Sequence, residues 1–190
     1  MRLARPRIEP VRDDTATDEQ RELLYERATP GEPVLNVFRT MAAAPKAARG
    51  FLAWGRYVLS KKNDLSPRDR EIVILRTGWR CRSGYEWTQH KRIGLRSGLT
   101  EAEIERLKQP ASAAGWTEAE RALIQAADEL HDDQFISEET WALLSRHFTE
   151  KQRMDVVFTV GQYTQVSMFL NTFGVQLDDG QELDPDLRAY

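Results

Sequence analysis

The chain has 190 residues, 41% of them hydrophobic and 30% charged, a composition that supports a buried core and argues against disorder. Its net charge of -3 comes from acids and bases interleaved along the chain, so nothing recommends a nucleic-acid partner. The single cysteine excludes an intramolecular disulfide and suits a reducing compartment. No long apolar run offers a membrane span, and no apolar segment follows the basic start MRLARPRIEP, so the expectation is a cytoplasmic protein without a membrane partner.

Residues 1 to about 14, with Pro6 and Pro10, read as an extended arm. Thr17 and Asp18 are candidate caps for a short helix that presents Leu23 and Leu24. The TPGEP stretch around Pro30 to Pro33 reads as a turn, and Val34, Leu35, Val37 and Phe38 form an apolar cluster of one or two helical turns. From Pro45, the residues Phe51, Leu52, Trp54, Tyr57, Val58 and Leu59 recur at helical spacings until KKND stops the pattern. Ser66 and Pro67 then supply a capping hydroxyl and a proline at the first helical position, with Ile72, Leu75 and Trp79 on one face. Ser83, with Glu86 three residues on, opens the next helix, and Gly94 is expected to end it.

Thr100-Glu-Ala-Glu103 and Thr117-Glu-Ala-Glu120 are capping boxes, the second opening a helix with Ala122, Leu123, Ala126, Ala127 and Leu130. Ser137 caps a helix containing Trp141, Leu143 and Leu144. Thr149-Glu-Lys-Gln152 opens a last helix through Met154, Val157, Phe158, Val160, Tyr163 and Phe169 to about Asn171. That helix is apolar around much of its circumference, which suits a central position or a subunit interface. The acidic tail from about residue 176 to 190 has little to bury. With no sustained period-two alternation, no repeat and no linker, the expectation is an all-α fold and one domain over 1–190.

The Ser66 to Gly94 stretch carries the candidate chemistry. Glu71 falls among apolar positions one turn before Ile74 and Leu75, so it points partly inward and needs a partner. Glu86 and His90 share a helix face. If Arg80 to Arg82 make a tight reversal, Glu71 lies about ten positions before it and His90 about nine after, at similar heights on antiparallel helices. The three side chains then converge, and a histidine between two carboxylates has a raised pKa suited to proton transfer near neutral pH. Blander readings stand beside this one. Ser83 and Glu86 match a capping box, Glu71 suits an ion pair with Arg76, Arg80 or a neighbouring subunit, and His90 suits a surface position near a helix C-terminus.

Cys81 lies in the turn, close to a helix start and between Arg80 and Arg82; it reads either as a nucleophile of lowered pKa or as a small buried residue closing the turn. His131, before Asp132 and Asp133, reads as part of a solvated helix end, and His147 is isolated. No spacing of His, Cys and Asp makes a metal site, and neither a phosphate loop nor a GxSxG elbow is present. Trp54, Trp79, Trp87, Tyr85 and Tyr163 fit core or interface positions.

The run RDREIVILRTGWRCRSGYEWTQHKRIGLRSGLTEAEI resembles the carboxymuconolactone decarboxylase family, which includes alkylhydroperoxidase D-like proteins. The resemblance is strongest over about Leu65 to Leu107 and continues through VVFTVGQYTQVSMFLNTFGV. It implies an alkylhydroperoxidase D-like helical bundle that assembles as a homo-trimer or hexamer, with helices packing across subunits. In the peroxidase branch a glutamate, a CxxC pair and a histidine form the motif; here these fall on Glu71, on Ser83 and Glu86, and on His90. Both sulfurs are missing, so the dithiol mechanism does not carry over. What remains is similar to the decarboxylase branch, which uses neither metal nor organic cofactor. That likeness implies a lyase acting on a small carboxylated lactone or related carbonyl compound. His90 would move a proton at the carbon that loses carbon dioxide, Glu71 and Glu86 would tune it, and Arg80 or Arg82 would hold a substrate carboxylate. Ser83, Tyr85 and Trp87 would line the substrate position. Two alternatives stay open: a peroxidase using Cys81 with an external thiol, and a non-catalytic ligand-binding oligomer.

Overall fold

A computed structural model describes residues 3–26, 31 and 33–188, and these described residues form nine α-helices and no strand. They are α1 (Asp18–Tyr25), α2 (Asn36–Met41), α3 (Pro45–Leu59), α4 (Pro67–Arg80), α5 (Gly84–Arg96), α6 (Glu101–Arg106), α7 (Glu118–Asp132), α8 (Glu138–His147) and α9 (Glu150–Phe173), followed by a short 3-10 turn at Pro185–Leu187. Of the turn expected around Pro30 to Pro33, residues Thr29, Pro30 and Glu32 lie outside the described residues, as do Met1, Arg2, Ala189 and Tyr190.

Local chemistry sets most of the helix starts. Thr17, Thr100, Thr117 and Thr149 each accept a backbone N–H three residues on, and Gln20, Glu103, Glu120 and Gln152 reach back to the cap N–H. Ser66 and Ser137 cap α4 and α8 in the simpler way, through one accepted N–H.

The helices are arranged around α4. Every residue from Glu71 to Gly78 is buried, so α4 has no solvent face over that span. It packs against α5, α7 and α9. On the α7 side, Ile72, Val73 and Leu75 share the main core with Leu123, Ile124, Ala126 and Ala127. On the other side, Ile74 meets Val58 of α3 and Tyr163 of α9. Full burial of residues this large contributes about 1.5–3 kcal/mol each, which makes α4 a rigid base for whatever polar side chains it carries.

Two expectations need correction. The sequence places the end of α5 at Gly94, yet the helix runs on to Arg96, and the reversal falls at Gly98, whose φ is +94°. Gly94 serves packing instead: a Cβ there would sit 3.1 Å from Leu99 Cδ1 and 3.2 Å from Leu75 Cδ1. The acidic tail is not idle either. Val175 and Leu187 are buried, Asp178 accepts from the Asn36 N–H, the Tyr85 hydroxyl and the Gln89 amide, and Asp184 accepts from Trp87 Nε1 and Lys108 Nζ. Its acids are used as hydrogen-bond acceptors that strap the chain end across α2 and α5.

Candidate functional site

The α4–α5 hairpin positions the site. α4 ends at Arg80 with Cys81 as its cap, Arg82 takes a left-handed φ of +53°, and the Ser83 N–H closes the reversal on the Gly78 carbonyl at 2.9 Å. The antiparallel pairing brings His90 Nδ1 within 2.7 Å of Glu71 Oε2. On the other side of the ring, His90 Nε2 lies 3.0 Å from Glu86 Oε1. Glu71, Glu86 and His90 are 1%, 4% and 6% exposed, so the three groups predicted to converge do so out of water. Tyr163 covers the imidazole edge-on, with ring centroids 4.9 Å apart.

Within the chain, the competing readings of these residues fail on geometry. Ser83 accepts no cap hydrogen bond, and its buried Oγ has no partner. Glu86 does not reach back to the cap but turns inward against Gly78, where a Cβ would stand 3.2 Å from its Cγ. Arg76 is bidentate to Asp128, at 2.6 and 2.7 Å, and also donates to the Leu107 and Gln109 carbonyls. Glu71 is therefore the partner of His90 and not of Arg76.

The two contacts of His90 differ in kind. Glu71 is aligned as a hydrogen-bond acceptor for Nδ1–H, which fixes the ring orientation and tautomer. Glu86 Oε1 is near Nε2 but off the donor direction, and it has no other donor. Burial pushes the Glu86 carboxyl up to about 7; the His90 charge works against this and the Glu71 charge with it. For His90, burial is the largest single influence and pulls downward, but the charges of Glu71 and Glu86 and the Glu71 hydrogen bond together raise its pKa. Both partners are thus raised. Two carboxylates and one imidazole held together out of water, with Glu86 and His90 both raised, favour the protonated forms of this cluster. Burial also raises the Tyr163 hydroxyl well above its ordinary value.

Other sequence candidates are placed elsewhere. Arg80 donates to Asp132 of α7 at 2.5 Å and lies 3.6 Å from Asp128. Arg82 is exposed at the reversal. Tyr85 and Trp87 flank Glu86 and so project away from its face: Tyr85 donates to Asp178 of the tail, and Trp87, 1% exposed, donates to Asp184. The expected substrate roles of Arg80, Tyr85 and Trp87 therefore conflict with their existing bonds. Ser83 alone of that group shares the inward face with Glu86 and His90.

Cys81 is half-buried; it caps the C-terminus of α4 and lies two residues before the Ser83 N-cap of α5, close to a helix start as expected. Its Sγ lies 3.6 Å from His131 Nδ1, a contact between residues fifty apart that the sequence reading missed. His131 lies in the last turn of α7 as expected, but it is only partly exposed, and burial and then the Arg80 charge lower its pKa. Arg70, also missed, neighbours Glu71, and its charge acts on both His90 and Tyr163. Among the described residues no group of three or more His, Cys, Asp or Glu gathers as a metal site.

The sequence profile of the carboxymuconolactone decarboxylase family matches residues 45–129, a span that contains Glu71, Glu86 and His90. That span of the chain is similar to this family. The matched span has no CxxC pair, since the one cysteine of the chain is Cys81. An uncharacterised peroxidase-related protein from Ralstonia eutropha JMP134, described as an alkylhydroperoxidase AhpD core, superposes with a TM-score of 0.79 at 22% identity, over 93% of this chain and 95% of that one. An uncharacterised peroxidase-related protein from Silicibacter sp. TM1040 gives 0.73 at 17% identity, over 94% and 92%. A cysteine-to-alanine variant of the debrominase Bmp8, in complex with 2,3,4-tribromopyrrole, gives 0.70 at 13% identity, over 90% and 91%. These likenesses establish an all-α, alkylhydroperoxidase D-like fold. No curated protein matches the chain by sequence. Among the described residues, no helix is long and apolar enough to cross a membrane.

Proposed function

We propose that the chain is a member of that family and a lyase of the carboxymuconolactone decarboxylase type, which uses side-chain acid–base groups on a small carboxylated lactone or related carbonyl compound. The observation that carries the reading is the buried imidazole of His90, with Glu71 Oε2 2.7 Å from Nδ1 and Glu86 Oε1 3.0 Å from Nε2. In the step proposed, the bond from carbon to the leaving carboxylate breaks and its electron pair moves onto the neighbouring carbonyl as an enolate. Carbon dioxide departs, and the carbon takes its proton from His90 Nε2. Glu86, near 7, returns a proton to the imidazole, and Glu71 keeps Nδ1 committed so that only Nε2 reacts.

The test is to offer a panel of carboxylated lactones and β-keto acids and follow carbon dioxide release and solvent deuterium incorporation by NMR. His90→Gln should lower the rate on an active compound by about 10²–10⁴-fold. Wild-type turnover in that variant on every active compound would remove the assignment. A compound that raises the melting temperature but is never consumed would favour a non-catalytic binding protein.

A second reading rests on the contact of Cys81 with His131. A Cys81 thiolate would attack the O–O bond of a hydroperoxide and become a sulfenic acid, His131 would protonate the departing alkoxide, and an external thiol would reduce the sulfur. Peroxide consumption that survives in Cys81→Ser would exclude it. The proposal extends to a cytoplasmic homo-trimer or hexamer. Trp54 on α3 and Met154, Val157 and Met168 on α9 are exposed apolar residues, the composition that self-association covers. Light scattering on the intact chain would measure the mass.

A further inference from the structure

We infer that Arg70, where α3, α4 and α9 meet, is the residue that holds a carboxylate of the substrate beside His90. The inference rests on the acid–base reading of His90 and adds to it the anchor that Arg80 and Arg82 do not supply. Arg70 sits one residue before Glu71 and one turn before Ile74, the α4 residue that packs on Val58 of α3 and Tyr163 of α9. The last turn of α3 meets it directly, because Nη1 donates to the Ser60 carbonyl at 3.1 Å. Just beyond, the Asn63 amide approaches Thr159 Oγ1 of α9 at 3.5 Å, which puts this junction level with the stretch of α9 leading to Tyr163. Tyr163 in turn lies edge-on to His90, and both feel the Arg70 charge.

The other inward arginines of α4 are occupied. Arg68 binds Glu103 and Glu120, Arg76 binds Asp128, and Arg80 binds Asp132. Arg70 has no such carboxylate among the described residues, and its Nε is buried with no acceptor. A guanidinium presents donors in a planar fork matched to a carboxylate, so an unfilled buried N–H beside an acid–base group is a place for one. The same junction holds a second unmet polar atom, Gln162 Oε1, on the residue before Tyr163, whose amide lies against Gly55 of α3.

Chemistry decides which carboxylate Arg70 holds. A carboxylate that leaves as carbon dioxide loses its charge, and a guanidinium on it would stabilise the ground state over the transition state. Arg70 therefore holds an anionic group that stays in the product, and the substrate carries at least one acid group besides the one it loses. The carbonyl-bearing portion then faces His90.

The probe is 4-oxopentanoate, a carbonyl compound with one retained acid group, set against its neutral methyl ester. Calorimetric titration at neutral pH should show the acid binding to the wild type at least tenfold more tightly than to Arg70→Gln, with Arg70→Lys between them. The ester should bind wild type and Arg70→Gln alike. Equal binding of the acid by wild type and Arg70→Gln, or no preference of the wild type for acid over ester, overturns the inference. Because Arg70 also supports the Ser60 carbonyl, circular dichroism checks folding of each variant. If Arg70→Gln does not fold, the acid-over-ester preference of the wild type and its weakening in Arg70→Lys decide the matter. His90→Gln separates the two proposals: it should keep the Arg70-dependent binding even if its turnover shows the acid–base reading to be wrong.

Discussion

Glu86→Gln removes one ionisable group from the site while keeping its shape, and the consequence can be worked through. The Glu86 carboxyl rises from 4.5 to about 7 on burial, so between those values the folded chain holds a proton that the unfolded chain has released. The stability tied to that proton is fully present below 4.5 and is lost as pH climbs through 7. At about 1.4 kcal/mol per pKa unit the swing is about 3 kcal/mol. His90, also raised, acts in the same direction: its contribution is present below its ordinary 6.5 and is lost as pH rises through its folded value. Glu103, held near 2 chiefly by its hydrogen bond from Arg68, works the other way, its contribution present above 4.5 and lost as pH falls. Glu120, Glu129 and Asp184 are lowered as well, so they too matter in acid rather than in this window. His131, lowered, adds stability above 6.5 that is lost as pH falls, but it is common to both proteins and cancels in their difference. Urea unfolding of both proteins from pH 4.5 to 8.5 measures that difference. Glu86→Gln should match the wild type closely at the acid end and exceed it by about 3 kcal/mol at the alkaline end. Two curves that stay parallel over the range would refute a buried, proton-retaining Glu86.

Two further substitutions probe how the site is held. Gly78→Ala ought to stabilise a helix interior by about 0.5–1 kcal/mol, but its Cβ would lie 3.2 Å from Glu86 Cγ. The expected result is no gain in melting temperature together with a displaced His90 imidazole resonance, and a gain with the resonance unmoved would show that the glycine is not making room for Glu86. Asp178→Ala removes the acceptor for the Asn36 N–H, the Tyr85 hydroxyl and the Gln89 amide, all at 2.7 Å. A loss of about 1–3 kcal/mol and faster hydrogen exchange over 176–188 should follow, whereas unchanged exchange would mean that the tail is held by other contacts.

Much of this arrangement was legible in the sequence because it is local. Ser66-Pro67 and the threonine-led boxes announce helix starts through bonds that span three residues, and Glu71 and His90 could be levelled by counting rise from the turn. What failed was information carried across the fold. Gly94 and Gly98 look alike in sequence, but Leu75 of α4 presses on the first and only the second adopts a positive φ. Arg70, Arg76, Arg80 and Arg82 are equivalent letters until α7 supplies Asp128 and Asp132 and α3 supplies the Ser60 carbonyl. The tail looked purposeless because its partners, Tyr85 and Trp87, precede it by about ninety residues. The Cys81–His131 contact was invisible for the same reason.

The Ser83–Glu86 pair shows how a local rule can give way to the site. Four helices of this chain close their capping boxes, so the device works in this protein wherever nothing opposes it. At α5 the same letters leave Ser83 Oγ and Glu86 Oε1 buried without hydrogen-bond partners. Each unmet polar atom costs about 1–3 kcal/mol, and closing the box would offset part of that. The conformation observed gives up this stabilisation and sets a second carboxylate 3.0 Å from the far side of His90. An ion pair for stability alone does not explain it, since Glu71 already satisfies His90 with an aligned bond at 2.7 Å. What Glu86 adds is a carboxyl raised to about 7 beside the one imidazole nitrogen that Glu71 leaves available, and the proton transfer proposed at that nitrogen is a use for which this sacrifice of local stability makes sense.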